Sequence, residues 1–189
     1  MPLAPEYFTP EMVRALPNDG GRYELVHGEL LVTPAPRVRH QRILSRLYRA
    51  LTPYCETHAL GEVLWSPADF SWSEDSLVQP DLFVVPREFA GAQQWSDIRS
   101  LSLVVECLSP STAKHDRFQK RKYYQENGIP TLWLLDEERA FVEVWTPKSL
   151  FPEVETRRLV WQPAMPGSGT MVRTGRAPFE IDLALLFGP

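Results

Sequence analysis

Pro80-Asp81-Leu82-Phe83-Val84-Val85 and Leu103-Val104-Val105-Glu106-Cys107-Leu108 are the two stretches that decide the fold, because each is a nearly continuous apolar run. Runs of this kind are typical of strands that are buried on both faces of a sheet. Each run contains one carboxylate, Asp81 in the first and Glu106 in the second. A carboxylate in an apolar strand is costly unless it is paired or bound to metal. Both acids therefore need a partner, and residue type alone does not decide between a nearby arginine and a metal ion.

The metal alternative depends on how the two strands are arranged. If they are neighbours in the sheet, Asp81 and Glu106 meet at one edge of it. Paired carboxylate oxygens suit a hard cation such as Mg²⁺ or Mn²⁺. The two apolar runs thus predict either a cation site or two buried ion pairs.

A helix predicted over residues 116–127 supplies a third group of side chains. Asp116, Lys120 and Tyr124 are spaced at i, i+4 and i+8, so they share one face of that helix. From this face Lys120 could reach a phosphate or orient a metal-bound water. The alternative is an Asp116–Lys120 pair on the surface, which is worth only ~0.3–0.5 kcal/mol.

The remaining pattern predicts a mixed α/β sheet in one domain. A short helix begins at Thr9-Pro10-Glu11, and a hairpin covers residues 22–32 with its turn near His27-Gly28. Further strands are predicted at 61–72, 77–85, 101–108, 131–135 and 141–145, of which the last two form a hairpin. The apolar end of the chain at 179–187 is expected to pack back on the core.

The clearest amphipathic helix covers residues 39–54. Its apolar residues recur at helical spacing, and a row of basic residues lies on a different face: Arg39, Arg42, Arg46 and Arg49. The simplest interpretation of this arginine row is a solvated helix face. The alternative is a surface that contacts a nucleic-acid backbone.

The composition limits the classes of function. The chain has 189 residues, of which 43% are hydrophobic and 23% charged, and its formal net charge is −4. These values fit a globular protein and exclude a polybasic one, so nucleic-acid binding would need a local basic patch. Cys55 and Cys107 are too few for a disulfide scaffold or a cysteine-based zinc site, which favours a reducing compartment. Because no signal peptide or membrane-spanning apolar run is found, we expect a cytoplasmic protein without membrane contact.

Motifs of several common enzyme classes are absent from the sequence. No GxGxxG, GxxxxGK[ST], HExxH or GxSxG motif and no EF-hand loop occurs. Nucleotide-dependent motors, zinc proteases and α/β-hydrolases are therefore disfavoured. A chemical function would have to depend on the acids and lysines described above.

The chain also carries an ordered set of short motifs, each unspecific alone but specific in combination. In chain order they are Arg22-Tyr23-Glu24-Leu25-Val26-x-Gly28-Glu29, Pro34-x-Pro36, His40-Gln41, Pro80-Asp81, Val104-Val105-Glu106-x-Leu108-Ser109-Pro110-Ser111-Thr112, Asp116, Lys120, Tyr124, Gly128 and Trp133. This set resembles the Uma-two-type family, a former domain of unknown function described as restriction endonuclease. The family belongs to the PD-(D/E)XK nuclease superfamily, and the resemblance covers about residues 7–146.

The resemblance implies a restriction-endonuclease-like core, in which a central mixed sheet is flanked by helices. By position, Asp81 corresponds to the acid of the PD motif and Glu106 to the acid of the (D/E)XK motif, so both would bind Mg²⁺ or Mn²⁺. The residue two after Glu106 is Leu108 instead of lysine, and Lys120 on the following helix matches a lysine that has moved. A second departure is His27, where relatives commonly have aspartate.

Two further residues are candidates for the same site. Glu24, in preference to Glu29, would complete the metal site, because many relatives in the superfamily use an extra upstream acid. His40 precedes the arginine row and could contact a phosphate or a metal-bound water, although a single histidine is more often structural. Cys107 is expected to point away from Glu106 as a small buried hydrophobe.

The leading hypothesis is metal-dependent hydrolysis of phosphodiester bonds in DNA, with Asp81, Glu106, Lys120, Glu24 and His40 as catalytic residues. The arginine row would then contact the DNA backbone. A second hypothesis is a catalytically inactive nucleic-acid-binding or assembly module that kept the nuclease fold. A third is a phosphohydrolase that acts on a small nucleotide.

The whole chain, 1–189, is predicted to form a single restriction-endonuclease-like domain. Residues 1–36 would supply the N-terminal helix and hairpin, 37–146 the nuclease-like core, and 147–189 the C-terminal strands that pack on it. A homodimer is expected by analogy with nucleases whose two sites face two strands. Exposed aromatic residues in the region from Trp145 to Trp161 are the candidate interface.

Overall fold

The computed structural model describes residues 7–17, 19–163 and 177–188. The other parts of the predicted domain, residues 1–6, Asn18, 164–176 and Pro189, lie outside the described residues. Within the described part the chain is a mixed α/β structure, which confirms the predicted fold class. The assignment of the whole chain to one domain stays a prediction.

Twelve strands and five helices form the described structure. The strands are β1 (Arg22–Val26), β2 (Glu29–Thr33), β3 (Gly61–Trp65), β4 (Phe70–Ser73), β5 (Ser76–Val78), β6 (Leu82–Pro86), β7 (Leu103–Leu108), β8 (Leu132–Asp136), β9 (Phe141–Trp145), β10 (Glu153–Glu155), β11 (Arg158–Trp161) and β12 (Phe179–Asp182). The helices are α1 (Pro10–Arg14), α2 (Val38–Thr57), α3 (Ala113–His115), α4 (Arg121–Glu126) and α5 (Leu183–Phe187). A π-helical turn (Asp116–Lys120) joins α3 to α4, and short 3-10 helices cover Arg87–Phe89 and Trp95–Asp97.

The central sheet has six strands in the order β10-β9-β8-β7-β6-β3. Strands β7 and β8 run parallel, and every other neighbouring pair is antiparallel. All residues of β7 and β8 are buried, as their apolar sequences predict. The site described below lies where β6 begins and β7 ends, because these two neighbours run in opposite directions.

The central sheet is covered on both faces. Alternate residues of a strand point to opposite faces, so Val105 packs with Leu47 of α2 and Leu186 of α5. Val104 instead packs with Tyr124 of α4. The predicted amphipathic helix and the predicted packing of the apolar C-terminal end are thus both confirmed.

The predicted hairpin belongs to a second sheet, in the order β2-β1-β5-β4. His27 and Gly28 form its turn with positive φ angles of 51° and 78°, a conformation that glycine adopts readily. Leu25 of β1 lies opposite Leu77 of β5, and both are buried. This pairing brings Arg22 and Glu24 of β1 beside the acid that precedes β6.

Two of the predicted strands are each divided in the structure. Residues 77–85 form the end of β5 and most of β6, which belong to different sheets, and residues 61–72 form β3 and part of β4. The interruptions contain Pro67 and Pro80, which have no N–H to donate to a strand partner. Asp81 therefore lies just before a strand instead of within one.

The predicted helix over 116–127 begins earlier than expected, at Ala113, and includes the π-helical turn. Among the described residues, no helix combines the length and the apolar character that crossing a membrane requires. Trp145 and Trp161, which bound the candidate dimer interface, are buried in the core, while Phe151 between them is 82% exposed. The homodimer stays a prediction, and most of its proposed aromatic support is absent from the described surface.

Candidate active site

Asp81 directly precedes β6 and Glu106 lies in the neighbouring strand β7, as the first condition for a shared site requires. Leu82 is opposite Val105 in the antiparallel register of β6 and β7, so the next position places Asp81 beside Glu106. Both side chains are buried. The Asp81 Oδ2 atom also accepts a hydrogen bond from the Cys107 N–H at 2.8 Å, which fixes the carboxylate against the end of β7.

Lys120 reaches this position from the π-helical turn. Its Nζ atom lies 2.7 Å from Glu106 Oε1, 2.8 Å from Glu24 Oε1 and 3.8 Å from Asp116 Oδ1. Only 2% of the lysine side chain is exposed, so the alternative of a surface Asp116–Lys120 pair is wrong. A π-helical turn is rare and often occurs at functional sites, and here it carries both Asp116 and Lys120.

Glu24 joins the cluster and Glu29 does not, as the preference for Glu24 predicted. Glu24 is buried and accepts a hydrogen bond from the Gln79 N–H at 2.7 Å as well as the contact from Lys120. Glu29 lies on the exposed side of the hairpin, where it accepts a hydrogen bond from Gln119. The hairpin therefore contributes one acid to the cluster.

Two residues of the cluster hold its carboxylates in place. The Tyr124 hydroxyl donates to Glu106 Oε1 at 2.6 Å, from the same helix face that the spacing predicted. Arg22 donates from Nη1 to Asp81 Oδ1 at 2.7 Å, and its Nε lies 3.6 Å from Glu24 Oε2. Arg22 was not among the site residues predicted from the sequence.

Carboxylates outnumber cations in this cluster. Glu24, Asp81, Glu106 and Asp116 surround only Arg22 and Lys120. Burial raises the pKa of Glu106 well above its ordinary value, and the charges of Asp81, Asp116 and Glu24 add to this effect against the opposing charge of Lys120.

The pKa values of Asp116 and Asp81 shift in opposite directions although both residues are buried in the same cluster. Burial raises the pKa of Asp116 to about 6, although Lys120 and a hydrogen bond with Thr112 act against the rise. Burial also acts to raise the pKa of Asp81, but Arg22, His40 and Lys120 together hold it below its usual value. Burial acts to lower the pKa of Lys120, but the three neighbouring acids keep it above its ordinary value, so the ammonium stays charged.

The cluster lines a cavity of about 260 Å³ that also contacts the Pro34-x-Pro36 motif and Ser111. His40 borders the same cavity, and its Nε2 lies 3.6 Å from Asp81 Oδ2. The structure thus brings together all five residues predicted as catalytic: Asp81, Glu106, Lys120, Glu24 and His40. Their roles in catalysis stay predictions.

The arginine row has a different position. Arg46 donates to the main-chain oxygens of Leu186 and Gly188 at 3.2 and 2.6 Å, and Arg39 donates to that of Phe187 at 3.4 Å. These carbonyls lie at the end of α5, where they have no partner within the helix. A solvated face therefore does not describe Arg46, while the side chains of Arg42 and Arg49 are exposed.

Comparisons with known proteins identify the family. The sequence pattern of the Uma2 family, described as "Putative restriction endonuclease", matches residues 10–170. This chain belongs to the Uma2 family. The resemblance inferred from the ordered motifs is confirmed, and the family match extends beyond residue 146, where that resemblance ended. No curated protein matches this chain.

A solved structure shows the same fold as this Uma2 chain. It is the crystal structure of "a putative nuclease belonging to DUF820" from Anabaena variabilis, with a TM-score of 0.72 and 17% sequence identity. The alignment covers 95% of this chain and 97% of the other. At this identity the likeness concerns the fold, which agrees with the predicted central mixed sheet flanked by helices.

At position 108 this Uma2 chain has leucine instead of the lysine of the (D/E)XK motif, and the structure explains this difference. Leu108 is buried in the apolar cluster on the α4 side of the sheet, at the end of β7. A lysine there would place an ammonium among apolar side chains. Lys120 supplies the ammonium from the helix, 2.7 Å from Glu106.

Proposed function

We propose that this protein is a metal-dependent endonuclease that hydrolyses phosphodiester bonds in DNA. The observation that carries the proposal is the contact of Lys120 with Glu106 beside Asp81, in a cavity lined by more carboxylates than cations. Two acids and one lysine are the residues that the nuclease motif combines. All three residues line this cavity.

The donor set fits a hard divalent cation. Asp81 and Glu106 would hold Mg²⁺ or Mn²⁺ through carboxylate oxygens, which both ions prefer. Burial raises the pKa of Glu106 and the charges of the neighbouring acids add to this rise, and a bound cation would compensate that negative charge. When bound, the ion would polarise the phosphate and lower the pKa of a coordinated water.

The other residues of the cluster would position the carboxylates and the reacting water and would stabilise charge on the phosphate. Lys120 keeps its charge, so its ammonium can orient a water or stabilise negative charge that develops on the phosphate. Tyr124 and Arg22 hold the Glu106 and Asp81 carboxylates in fixed orientations through the hydrogen bonds described above. Glu24 fixes the position of Lys120, and His40 can contact a phosphate at the edge of the cavity.

DNA is the proposed partner, and the exposed Arg39, Arg42 and Arg49 of α2 are the members of the arginine row that can contact its backbone. Contacts of this kind weaken with salt and do not depend on base sequence. Arg46 would contact DNA only if it left the carbonyl end of α5. We further infer a cytoplasmic location, since Cys55 and Cys107 are both free and buried.

Cleavage assays with a matched pair of variants test the proposal. Supercoiled, linear double-stranded and single-stranded DNA are incubated with the protein in Mg²⁺ or Mn²⁺, and Glu106→Gln is compared with Glu143→Gln. Both variants remove one buried carboxylate charge, but only Glu106 belongs to the cluster. We expect metal-dependent cleavage by the wild type and by Glu143→Gln, and a loss of more than roughly 100-fold in Glu106→Gln.

The absence of cleavage by the wild type with either metal on all three substrates would contradict the nuclease proposal. Hydrolysis of free nucleotides without cleavage of polymers would instead favour a phosphohydrolase that acts on small substrates. Equal activity of Glu106→Gln and the wild type would place the reaction elsewhere.

One observation favours the alternative of an inactive DNA-binding or assembly module. Both oxygens of Asp81 already have partners, the Arg22 guanidinium and the Cys107 N–H. A carboxylate whose two oxygens are both hydrogen-bonded in this way can have a purely structural role. This alternative predicts that Asp81→Ala still binds DNA with an unchanged dependence on salt and that no cleavage occurs under any metal condition.

A further inference from the structure

A second group of side chains of the types that can bind metal lies on the α2 side of the central sheet. His40 of α2, Cys107 of β7 and Glu137 directly after β8 each offer one ligand atom, and these three atoms all lie within 4.8 Å of one another. All three residues are at least nine-tenths buried. Cys107 and Glu106 are adjacent in β7 and so point to opposite faces of the sheet.

Glu137 has an unsatisfied oxygen in this group. Its Oε2 atom is buried and has no hydrogen-bond partner among the described residues, and only 2% of the residue is exposed. An unpaired buried acceptor of this kind is unfavourable because its desolvation is not compensated. A bound ion is one group that would satisfy it. Glu137 has no role in the proposed nuclease site.

The donor atoms differ in kind from those around Lys120. An imidazole nitrogen, a thiol sulfur and a carboxylate oxygen form the mixed set that Zn²⁺ and similar ions bind, whereas Mg²⁺ prefers oxygen alone. Bonds of roughly 2.0–2.3 Å in a tetrahedral site place ligand atoms roughly 3.3–3.8 Å apart. The three side chains therefore need to close by about 1 Å or a little more to hold such an ion.

We propose that His40, Cys107 and Glu137 bind one divalent ion of the zinc class, in a site separate from the Asp81–Glu106 site. Binding forms a metal–sulfur bond and breaks the S–H bond of Cys107, whose proton leaves to solvent, and no electron is transferred. All three side chains line the cavity, so the fourth position of the ion is open to a water.

A bound ion would join α2 to the ends of β7 and β8 beside the nuclease cluster. Asp81 Oδ2 lies 3.6 Å from His40 Nε2, so the two sites are neighbours. The zinc-class site shares His40 with the residues of the nuclease proposal but contains neither of the proposed Mg²⁺ ligands, Asp81 and Glu106, so it does not depend on that proposal.

Spectroscopic titration with Co²⁺, followed by competition with Zn²⁺, tests the site in the full, reduced and metal-stripped chain. Thiolate-to-cobalt charge-transfer absorption reports ligation by cysteine. Cys107→Ser and Glu137→Gln are compared with Cys55→Ser, which changes the other buried cysteine. We expect one equivalent of metal to bind the wild type and Cys55→Ser with this absorption. It should be absent in Cys107→Ser, and the affinity of Glu137→Gln should fall at least roughly 10-fold with the absorption retained.

Three outcomes would overturn this proposal. They are no charge-transfer absorption in the wild type, equal affinity in Cys107→Ser and the wild type, and binding that Glu106→Gln abolishes but Cys107→Ser does not. If circular dichroism shows that Cys107→Ser does not fold, unchanged affinity in Glu137→Gln would overturn it instead. DNA cleavage is not measured in this experiment, so failure of the nuclease proposal leaves its result interpretable.

Discussion

Arg117 and Lys120 lie three residues apart in the same π-helical turn, and each contacts two carboxylates on strands. Arg117 donates from Nε to Glu143 Oε1 at 2.7 Å and from Nη2 to Asp136 Oδ2 at 2.9 Å. Lys120 contacts Glu106 and Glu24 at 2.7 and 2.8 Å. The two clusters therefore have similar contacts and similar distances.

The two clusters differ in charge balance. Burial acts to raise the pKa of Asp136, but Arg117 and the N–H of Arg139 hold it below its ordinary value. Around Lys120 the acids are in excess, and the pKa values of Glu106 and Asp116 are raised. We infer that the Arg117 cluster stabilises the fold. The Lys120 cluster instead has an excess of negative charge, which disfavours the fold and which a bound cation would compensate. Strongly perturbed carboxylates in a cavity are typical of functional sites.

Removal of Lys120 should produce the largest effect on stability. Lys120→Met leaves three buried carboxylates without their shared cation, so the free energy of unfolding at neutral pH should fall by roughly 3–5 kcal/mol. Urea denaturation measures the change. Lys122→Met is the matched control, since Lys122 is exposed on the same helix, and it should change stability by less than about 0.5 kcal/mol. Equal losses of unfolding free energy in the two variants would contradict the conclusion that the buried carboxylates depend on Lys120.

Asp116 should determine part of the dependence of stability on pH. Its folded pKa of about 6 lies above its ordinary value of 3.8, so its stabilising contribution is present below about pH 4 and is lost as the pH rises through about 6. Asp116→Asn cannot ionise and should keep that contribution. Between pH 4 and 7 the variant should gain roughly 3 kcal/mol relative to the wild type. If the wild type and Asp116→Asn gave parallel curves of unfolding free energy against pH, the pKa of Asp116 would not be raised in the folded protein.

The same substitution in the two clusters should have opposite signs. Glu106→Gln removes a charge that the fold disfavours, so we expect stability at neutral pH to rise by roughly 1 kcal/mol. Glu143→Gln weakens a charge-assisted hydrogen bond with Arg117, so stability should fall by roughly 1 kcal/mol. Thermal and urea denaturation of both variants without divalent metal measure these changes. A loss in both would mean that Glu106 is a structural ion-pair partner like Glu143.

Asp136 should give the smallest effect, and only above acidic pH. Its pKa is lowered in the fold, so its contribution is present above the ordinary value of 3.8 and disappears as the pH falls below it. Asp136→Asn should therefore cost about 0.5 kcal/mol at pH 7, and this deficit should shrink as the pH falls below 3.8. A deficit that does not shrink at acidic pH would indicate a packing defect instead of a lost ion pair.

Local spacing predicted one half of the Lys120 cluster. Asp116, Lys120 and Tyr124 were expected on one helix face because helical periodicity is a local property, and Asp81 and Glu106 were recognised because acids are rare in apolar strands. The partner of Asp81 was not predicted, since Arg22 reaches it across 59 positions of the chain, through the pairing of β1 with β5.

The same limit applies to other parts of the molecule. The division of residues 77–85 into two strands follows from which sheet each half joins, and Pro80 was the only local sign of it. The binding of Arg46 to the end of α5 and the approach of Glu137 to Cys107 and His40 also join distant segments. No periodicity within either segment indicates these contacts.

Calorimetric titration with Mg²⁺ is the most direct test of the contrast between the two clusters. This ion prefers oxygen ligands, so it reports on the acids around Lys120 and not on the cluster of His40, Cys107 and Glu137. We predict that the wild type and Glu143→Gln bind Mg²⁺ alike and that Glu106→Gln loses this binding. Binding that is unchanged in Glu106→Gln, or absent from the wild type, would contradict the assignment of the Lys120 cluster to a metal-dependent site.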